Sequence, residues 1–310
     1  MKHIHVAALE PDAEFARRIG KKGSESDFTI YNCKEGGRVL CIYHANKYPE
    51  RVQPLLYCLS LCDIAYLRPS SIDKHTGEMI VACAVFGRKL LVLADRVGKE
   101  DIEPLLKAAG VKDYEFFEGD ANALRERLLE AGSLRKGEGK TEVVIDACFP
   151  VKGIGTVALG IVQQGTVAVH QRLALLPSGK TSEVKSIQVQ DEDAKEAEAS
   201  SRVGLSLRDL EADEVERGEV AAEERLAPAS RVEAEVSLTK FYKGDLCSLQ
   251  FFAHSLLRFV ACKAKRLEAG KYELELAQPL VAQQGEEIYL FLAEAMPRIV
   301  GSARITRVIG

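Results

Sequence analysis

A series of short apolar segments, separated by turn residues, runs from residue 143 to residue 218. Gly153, Gly155 and Gly165 interrupt it, and a Pro-Ser-Gly-Lys turn follows residue 176. Short strands at this spacing predict a β-sandwich or a β-barrel. The acidic, alanine-rich stretch 191–201 is predicted to be a loop. The predicted strands are 143–151, 156–162, 166–176 and 184–189.

Four motifs occur in order along this segment with near-normal family spacing: F-x-V-K-G-x-G-T-V, V-K-S-I-Q, R-V-G-L-x-L and R-G. They closely resemble the second domain of translational GTPases, the β-barrel of elongation factor Tu. The selenocysteine-specific elongation factors are the nearest type. The resemblance covers about a quarter of the chain and implies a six-stranded barrel, which in this family holds the 3′ end of an aminoacyl-tRNA.

The N-terminal region alternates predicted strands with predicted helices. This rhythm predicts a mostly parallel sheet with helices on both faces, in the order of a GTPase domain. The predicted strands are 4–9, 39–43, 64–67, 90–94 and 114–117, and the predicted helices are 12–21, 50–60, 76–86, 101–109 and 121–131.

Length and composition predict several domains. A chain of 310 residues with 46% hydrophobic residues has enough apolar material for two or three cores. Polar junctions at 133–140 and 224–230 predict linkers. We therefore expect an α/β domain at 1–137, a barrel resembling domain 2 of elongation factor Tu at 138–226, and a barrel resembling its domain 3 at 227–310. For the last, the ending PRIVGSARI carries a weaker resemblance.

The first expected nucleotide motif, the phosphate loop, is missing. Such a loop has the pattern G-x-x-x-x-G-K-[ST], in which glycines let backbone N–H groups approach the phosphates and a lysine neutralises them. The turn after the first predicted strand is instead Glu10-Pro11-Asp12-Ala13-Glu14. Three carboxylates in place of glycines and lysine predict repulsion of a triphosphate.

The other two nucleotide motifs of the family are also replaced. D-x-P-G-H aligns with His44-Ala45-Asn46-Lys47-Tyr48, so the Mg²⁺-side aspartate is absent. N-K-x-D aligns with Ala94-Asp95-Arg96-Val97, so a valine stands where a carboxylate would read guanine. The sequence predicts a degenerate P-loop GTPase-like domain that is not an enzyme and binds neither GTP, GDP nor Mg²⁺.

The resemblance implies a binding site for the end of a tRNA on the second domain. Its E-x-x-R-G element falls on residues 214–218. Glu214 would pack against the terminal adenine base, and Arg217 would reach sugar or phosphate. The alternative for this element is a structural salt bridge on the barrel rim.

The strand before F-x-V-K-G lines the amino-acid pocket in this family. Asp146 and Phe149 fit that pattern, whereas Ala147 replaces a histidine of the selenocysteine-specific factors. Selectivity for selenocysteine is therefore not expected. Lys152 is either an RNA contact or an ordinary rim lysine.

Neither a metal site nor a catalytic set is predicted. Cys58 and Cys62 are four residues apart on a predicted helix, but no further cysteine or histidine pair completes a four-ligand set at recognisable spacing. We expect both in the core. The histidines do not form a nucleophile–base–orienter arrangement at any recognisable spacing.

The sequence thus predicts a non-enzymatic, cytoplasmic protein resembling an elongation factor. Its expected partners are tRNA or aminoacyl-tRNA, the ribosome or another translation factor, and neither a membrane nor DNA. The net charge of −4 does not exclude RNA, because a local basic face is sufficient. Two alternatives stay open: an active GTP-dependent factor of the selenocysteine-specific type with an altered nucleotide site, and a protein-binding regulatory scaffold.

Overall fold

The computed structural model describes residues 2–132, 135, 137–223 and 227–309. Both predicted linkers fall partly outside this range, at residues 133, 134 and 136 and at residues 224–226. The chain divides into two compact units. One comprises Met1–Ser133, Val236–Phe252 and Tyr289–Ala303, and the other comprises Leu134–Glu235, Ala253–Ile288 and Arg304–Gly310. The three domain boundaries stay predictions.

The N-terminal region is an α/β domain with a seven-stranded sheet in the order β2-β3-β4-β1-β5-β6-β7. Strands β4, β1, β5, β6 and β7 are parallel, and β2 and β3 are antiparallel, so the predicted mostly parallel sheet is confirmed. The strands are β1 (Lys2–Leu9), β2 (Lys21–Glu25), β3 (Phe28–Glu35), β4 (Arg38–Ala45), β5 (Ile64–Leu67), β6 (Lys89–Val92) and β7 (Tyr114–Phe116). The helices are α1 (Glu14–Ile19), α2 (Gln53–Leu61), α3 (Lys74–Phe86), α4 (Lys99–Ala109) and α5 (Ala121–Leu129).

Helices cover both faces of this sheet. Helices α1 and α5 pack together over Ile4, Val6 and Ala8 of β1. Helices α2, α3 and α4 pack against one another, with α2 also on β1 and β4. Alternate residues of a strand point to opposite faces, so the continuous apolar run of β1 serves both layers.

Strands β2 and β3 were not predicted, and the predicted helix 12–21 is too long. The sequence of β2 is KKGSE and every one of its residues is exposed, so it has no alternating apolar pattern to recognise. Pairing with β3 makes it a strand, for example through Lys22 opposite Tyr31. Gly20, after α1, is already extended at φ −131°, which leads the chain directly into β2.

The second region is a closed six-stranded barrel in the order β11-β16-β8-β9-β15-β12, with β12 returning to β11 and β13 added beside β12. Its core contains Val143, Ile145, Val162, Val184 and Leu205. Strands β10 and β14 form a separate pair. The strands are β8 (Glu142–Val151), β9 (Gly155–Gln164), β10 (Thr166–Ala168), β11 (Arg172–Leu176), β12 (Lys180–Val189), β13 (Glu192–Ala194), β14 (Glu196–Glu198), β15 (Arg202–Leu207) and β16 (Val220–Ala222).

Two local predictions in this barrel were wrong. The predicted strand 166–176 is divided into β10 and β11 at His170, whose φ of 69° is left-handed and cannot continue a strand. The predicted loop 191–201 contains β13 and β14. Their short, acidic sequences carry no strand signal, and they form by pairing with β12 and β10.

The third region is a closed barrel in the order β17-β20-β19-β18-β21-β22. The predicted fold, an α/β domain followed by two β-barrels, is therefore confirmed. The strands are β17 (Pro228–Leu238), β18 (Phe251–Ser255), β19 (Arg258–Glu268), β20 (Lys271–Val281), β21 (Glu287–Phe291) and β22 (Ile299–Val308).

A buried ion pair joins two sequence-distant segments of the first compact unit. Glu78 on α3 is fully buried and accepts hydrogen bonds from the Arg298 backbone N–H (2.7 Å) and from Nε (3.0 Å) and Nη2 of the same residue. The Phe86 and Tyr289 rings stack nearby in the same unit, with their centroids 3.6 Å apart. Cys58 and Cys62 lie in the core of this unit.

Across the part of the chain that the structure describes, the helices lack the combination of length and apolar composition that crossing a bilayer requires.

Candidate functional site

The turn after β1 is closed by its own carboxylate. The side chain of Glu10 is fully buried and accepts hydrogen bonds from the backbone N–H groups of Phe15 (3.1 Å) and Ala16 (3.0 Å) in α1. The Tyr66 hydroxyl donates a third bond of 2.6 Å. The N–H groups at the start of a helix are those that bind anions in phosphate sites. Here they already hold an internal anion.

Arg68, which follows β5, links the carboxylates around this turn. Its guanidinium donates to both oxygens of Asp95, with the shortest contact 2.7 Å, and to Glu14 at 2.8 Å. It lies 3.8 Å from a Glu10 oxygen and stacks 4.0 Å from the centre of the Phe15 ring. Bidentate contact and ring stacking are both suited to the planar guanidinium.

Arg96 completes the network by binding Asp12 at 3.1 Å and also Glu14. The hydrogen bond from Arg68 is the main reason that the pKa of Glu14 lies below its usual value. Burial raises the pKa of Asp12. Hydrogen bonds from Arg96 and from the Glu14 N–H outweigh burial, so the pKa of Asp12 lies below its usual value. Both carboxylates are thereby held ionised.

The sequence placed three carboxylates where they would repel a triphosphate, and their observed contacts differ from that expectation. Glu10, Asp12 and Glu14 do not line an open phosphate site from which they would repel a ligand. Glu10 is buried as a cap on α1, and the other two are neutralised by arginines. A triphosphate at this turn would therefore have to displace bonds already made.

The residues aligned with D-x-P-G-H are also engaged internally. The His44 ring is hydrogen-bonded to the Glu10 carbonyl oxygen at 2.8 Å, and Lys47 pairs with Asp27 at 3.5 Å. The Tyr48 hydroxyl donates to the carbonyl oxygen of His75 at 2.8 Å. Burial is the largest cause of the raised pKa of Tyr48.

On the second barrel, Asp146 lies at a β-bulge. The pairing of β8 with β9 shifts between Ile145 and Ala147, which leaves Asp146 as the extra residue. Its carboxylate is buried and accepts hydrogen bonds from both terminal nitrogens of Arg202 on β15, one of them at 3.2 Å. Arg202 belongs to the R-V-G-L-x-L motif, but no spacing rule connects it to Asp146, so the sequence could not reveal the pair.

Phe149 and Lys152 are exposed towards the end of the same hairpin. Phe149 is 40% exposed near the end of β8, and Lys152 lies in the turn that leads to β9. Ile154 in this turn is 44% exposed. The hairpin end therefore presents apolar surface beside a cation.

Glu214 makes the structural salt bridge that was the alternative for the E-x-x-R-G element. Lys180 donates to its carboxylate at 3.2 Å, and a further bond comes from the backbone N–H of Glu211 at 2.9 Å. These bonds, that of Glu211 first, lower the pKa of Glu214. Lys180 is the first residue of β12, where the sequence indicated a turn.

Arg217 is half-buried and adjoins β8 through its neighbour. The Gly218 N–H donates to the Ile145 carbonyl oxygen at 2.8 Å. Gly218 has φ 86°, and a Cβ there would lie 3.0 Å from the backbone of Leu257, so a glycine is required. Arg217 and Asp146 therefore lie on adjacent segments, with Phe149 further along β8 and Lys152 in the turn after it.

The fold defines a class: an α/β domain followed by two closed six-stranded barrels is the architecture of elongation factors of the Tu and selenocysteine-specific types. The structure of the elongation factor SelB from Methanococcus maripaludis in complex with a GTP analogue has a similar fold. It shows a TM-score of 0.82 and 18% identity, over 100% of this chain and 80% of that one. The family model for elongation factor Tu domain 2 matches residues 155–222.

Sequence relatives extend the comparison. An uncharacterized protein of Methanocaldococcus jannaschii is 30% identical, over 93% of this chain and 95% of its own. Elongation factor 1-alpha of Archaeoglobus fulgidus is 23% identical over 78% of this chain and 67% of its own. The selenocysteine-specific elongation factor of M. jannaschii is 35% identical over 33% of this chain and 22% of its own. The chain belongs to the translational GTPase family.

Proposed function

We propose that this chain is a cytoplasmic, non-enzymatic member of the translational GTPase family, a pseudo-GTPase that acts without GTP and binds tRNA or another translation component. The observation that carries the proposal is the buried carboxylate of Glu10 on the N–H groups of α1. In a phosphate loop those groups face a phosphate. An internal carboxylate at this position competes with any nucleotide.

The arginine network supports the same conclusion. Arg68 is 5% exposed, and its donors are directed at Asp95, Glu14 and the region of Glu10. Nucleotide binding would require the ion pairs to open and the buried Arg68 to lose its partners. Loss of these partners would leave a buried guanidinium without a counter-ion, which is costly. The phosphate-binding glycines and lysine that could offset this cost are absent from the turn.

The tRNA hypothesis rests on the second barrel. Phe149 and Lys152 are exposed, and Arg217 adjoins the strand that carries them. In this proposal Phe149 faces the aminoacyl group or terminal base, and Lys152 and Arg217 contact the sugar-phosphate backbone. Asp146 and Glu214 orient the barrel through Arg202 and Lys180.

A protein-binding scaffold is the second candidate function. The pairs Asp146–Arg202 and Glu214–Lys180 favour it, because two of the five proposed RNA residues already form ion pairs within this domain. A scaffold would use the exposed hairpin end, Phe149 to Ile154, for a protein partner.

Calorimetry tests the absence of nucleotide binding. We expect no heat of binding for GDP or a non-hydrolysable GTP analogue with Mg²⁺ at cellular concentrations. Micromolar affinity for either nucleotide would instead establish an active factor with an altered nucleotide site.

Filter binding of aminoacylated and uncharged tRNA tests the barrel. We expect Arg217→Ala to weaken binding roughly ten- to a hundredfold, since a charge-assisted contact contributes about 1.5–3 kcal/mol. Lys152→Ala should weaken it less, and Lys185→Ala, an exposed lysine on β12, serves as the matched control. Thermal melting of each variant separates lost contacts from lost folding. Wild-type binding no stronger than a non-specific, salt-sensitive background would favour the scaffold.

A further inference from the structure

A cavity lies at the carboxyl ends of the central strands of the α/β domain, beside the Glu10 turn. Its volume is about 180 Å³. It is bounded by the chain after β1 and β4, the segment after β5, and the start of α3. The chain passes to opposite faces of the sheet after β1 and after β4. Such crevices are where open α/β sheets bind ligands. The aliphatic lining includes Leu9, Pro11, Leu55, Pro69 and Met79.

The lining of the cavity contains a buried polar atom without a hydrogen-bond partner. Across the described residues, Nδ1 of His75 is buried and has no hydrogen-bond partner, and this histidine lines the cavity. Its neighbours are already bonded: Thr76 Oγ1 donates to the Ser71 carbonyl oxygen at 2.8 Å, and the Tyr48 hydroxyl donates to the His75 carbonyl oxygen. A buried polar atom without a partner is costly, so a ligand that bonded to it would gain that energy.

The two carboxylates beside the cavity already accept hydrogen bonds from the backbone. Asp73 accepts the backbone N–H groups of His75 and Thr76, each at 2.9 Å, as the cap of α3. Glu10 caps α1 on the other side. Neither carboxylate is left to pair with a cation, and both would repel an anion. The cavity therefore suits an uncharged ligand.

Size narrows the ligand further. An apolar protein cavity of about 150 Å³ holds one benzene molecule. The present cavity accommodates a single six-membered ring with small substituents. The Tyr48 and His75 rings in its lining contact each other edge-on, at 83°.

We propose that this cavity is a binding site for an uncharged, planar nitrogen heterocycle the size of a pyrimidine base, hydrogen-bonded to Nδ1 of His75. The edge of such a base carries both donors and acceptors, so it can bond the imidazole in either tautomer. Its faces are apolar and pack on the prolines and Met79. The base is either free or an unstacked base of an RNA strand. This site is independent of the proposed tRNA contacts on the second barrel.

NMR of the histidine rings in the full chain tests the proposal, because the protein has only six histidines. Uracil and a uridine tetranucleotide are the probes for the free base and the RNA base, and phenol is a size-matched ring without a paired donor–acceptor edge. We expect uracil or the tetranucleotide to shift the ring signals of His75 and His44 and to leave those of His170 and His254 unchanged. Saturation by uracil identifies a free-base site, and saturation by the tetranucleotide alone identifies an RNA base.

Two variants and one control complete the test. His75→Ala should weaken uracil binding roughly tenfold, the equivalent of one hydrogen bond, and change phenol binding little. Met79→Phe, which narrows the cavity, should weaken both. His170→Ala, whose side chain is 75% exposed on the second barrel, should change neither. The proposal is overturned if neither pyrimidine probe shifts His75 at millimolar concentration, or if phenol binds as tightly as uracil and His75→Ala affects the two equally.

Discussion

Carboxylates are treated differently in the core of the α/β domain and at one cavity of the barrels. In the α/β domain, Glu78 is bonded to Arg298, and Glu10 is bonded to helix N–H groups and a tyrosine. In the barrels, Glu142 and Glu286 line one cavity. Burial raises the pKa of both, and their mutual repulsion raises that of Glu142 further. Glu142 does accept a bond from Gln283, but a neutral amide compensates little.

The difference shows where charge contributes to folding and where it opposes it. Around the first turn of the α/β domain, acidic and basic side chains neutralise one another, so the charges hold the domain together. The barrel cavity retains repulsion that the rest of the fold must offset. The following variants test that contrast, in order of decreasing effect.

Removing one partner of the Glu78–Arg298 pair should have the largest effect. Glu78→Ala leaves a mostly buried guanidinium without its counter-ion, and we expect a loss of about 3–5 kcal/mol in the free energy of unfolding. Urea denaturation followed by circular dichroism measures it. The double variant Glu78→Leu/Arg298→Met replaces both charges by apolar groups and should recover most of the loss. A Glu78→Ala protein as stable as the wild type would contradict the role assigned to this pair.

Glu10→Ala should have the next largest effect. It leaves two helix N–H groups and the Tyr66 hydroxyl without their acceptor, which should cost about 2–4 kcal/mol. Glu14→Ala is the matched control, because Glu14 is partly exposed and should matter less. Equal losses in the two variants would show that the capping geometry is unimportant. GDP binding gained by Glu10→Ala would show directly that the carboxylate excludes phosphate.

Glu142→Gln should stabilise the protein, the opposite sign to the two preceding variants. The folded-state pKa of Glu142 lies above its usual value of 4.5, so the native state binds more protons than the unfolded state as the pH rises above that value. Stability therefore falls as the pH rises from 4.5 through the folded pKa of Glu142. We expect Glu142→Gln to be more stable than the wild type above that folded pKa and equally stable below pH 4.5. Thermal melting across that range measures it, and a gain independent of pH would contradict the explanation.

Glu214→Gln should have the smallest effect on stability. Its pair with Lys180 is exposed to solvent, and such pairs contribute little. We expect an unchanged melting temperature within error. Its tRNA affinity is the informative quantity: a loss would assign Glu214 to the RNA site, and no change would leave it as a rim salt bridge.

The sequence predicts much of the fold because long apolar segments dominate it. Strand Ile64–Leu67 was predicted with its observed ends, and the α/β order followed from alternating buried strands and helices. Strands β2, β13 and β14 were not predicted, because they are short, polar and mostly exposed. They exist through pairing with a neighbour, which is information that a local pattern does not contain.

The sequence predicted that the nucleotide motifs are replaced, but it did not show which contacts the residues at those positions make. Nothing in the order Glu10-Pro11-Asp12 indicates that the first carboxylate turns inward while the second pairs with Arg96. Arg68 meets Asp95 because the ends of neighbouring parallel strands are adjacent, and that adjacency follows from sheet order. The partners of Asp146 and Glu214 were likewise set by barrel closure and by turn geometry.

The ion pair between Glu78 and Arg298 can form only late in translation. The two residues are 220 positions apart, so at about 5–20 residues per second a ribosome makes the first roughly 10–45 s before the second. During that interval the nascent α/β domain carries a carboxylate destined for the interior without its guanidinium, and the Phe86 ring without the ring that will cover it. The first part of the chain to emerge is thus among the last to be finished, and the interval is a period in which chaperones can bind it.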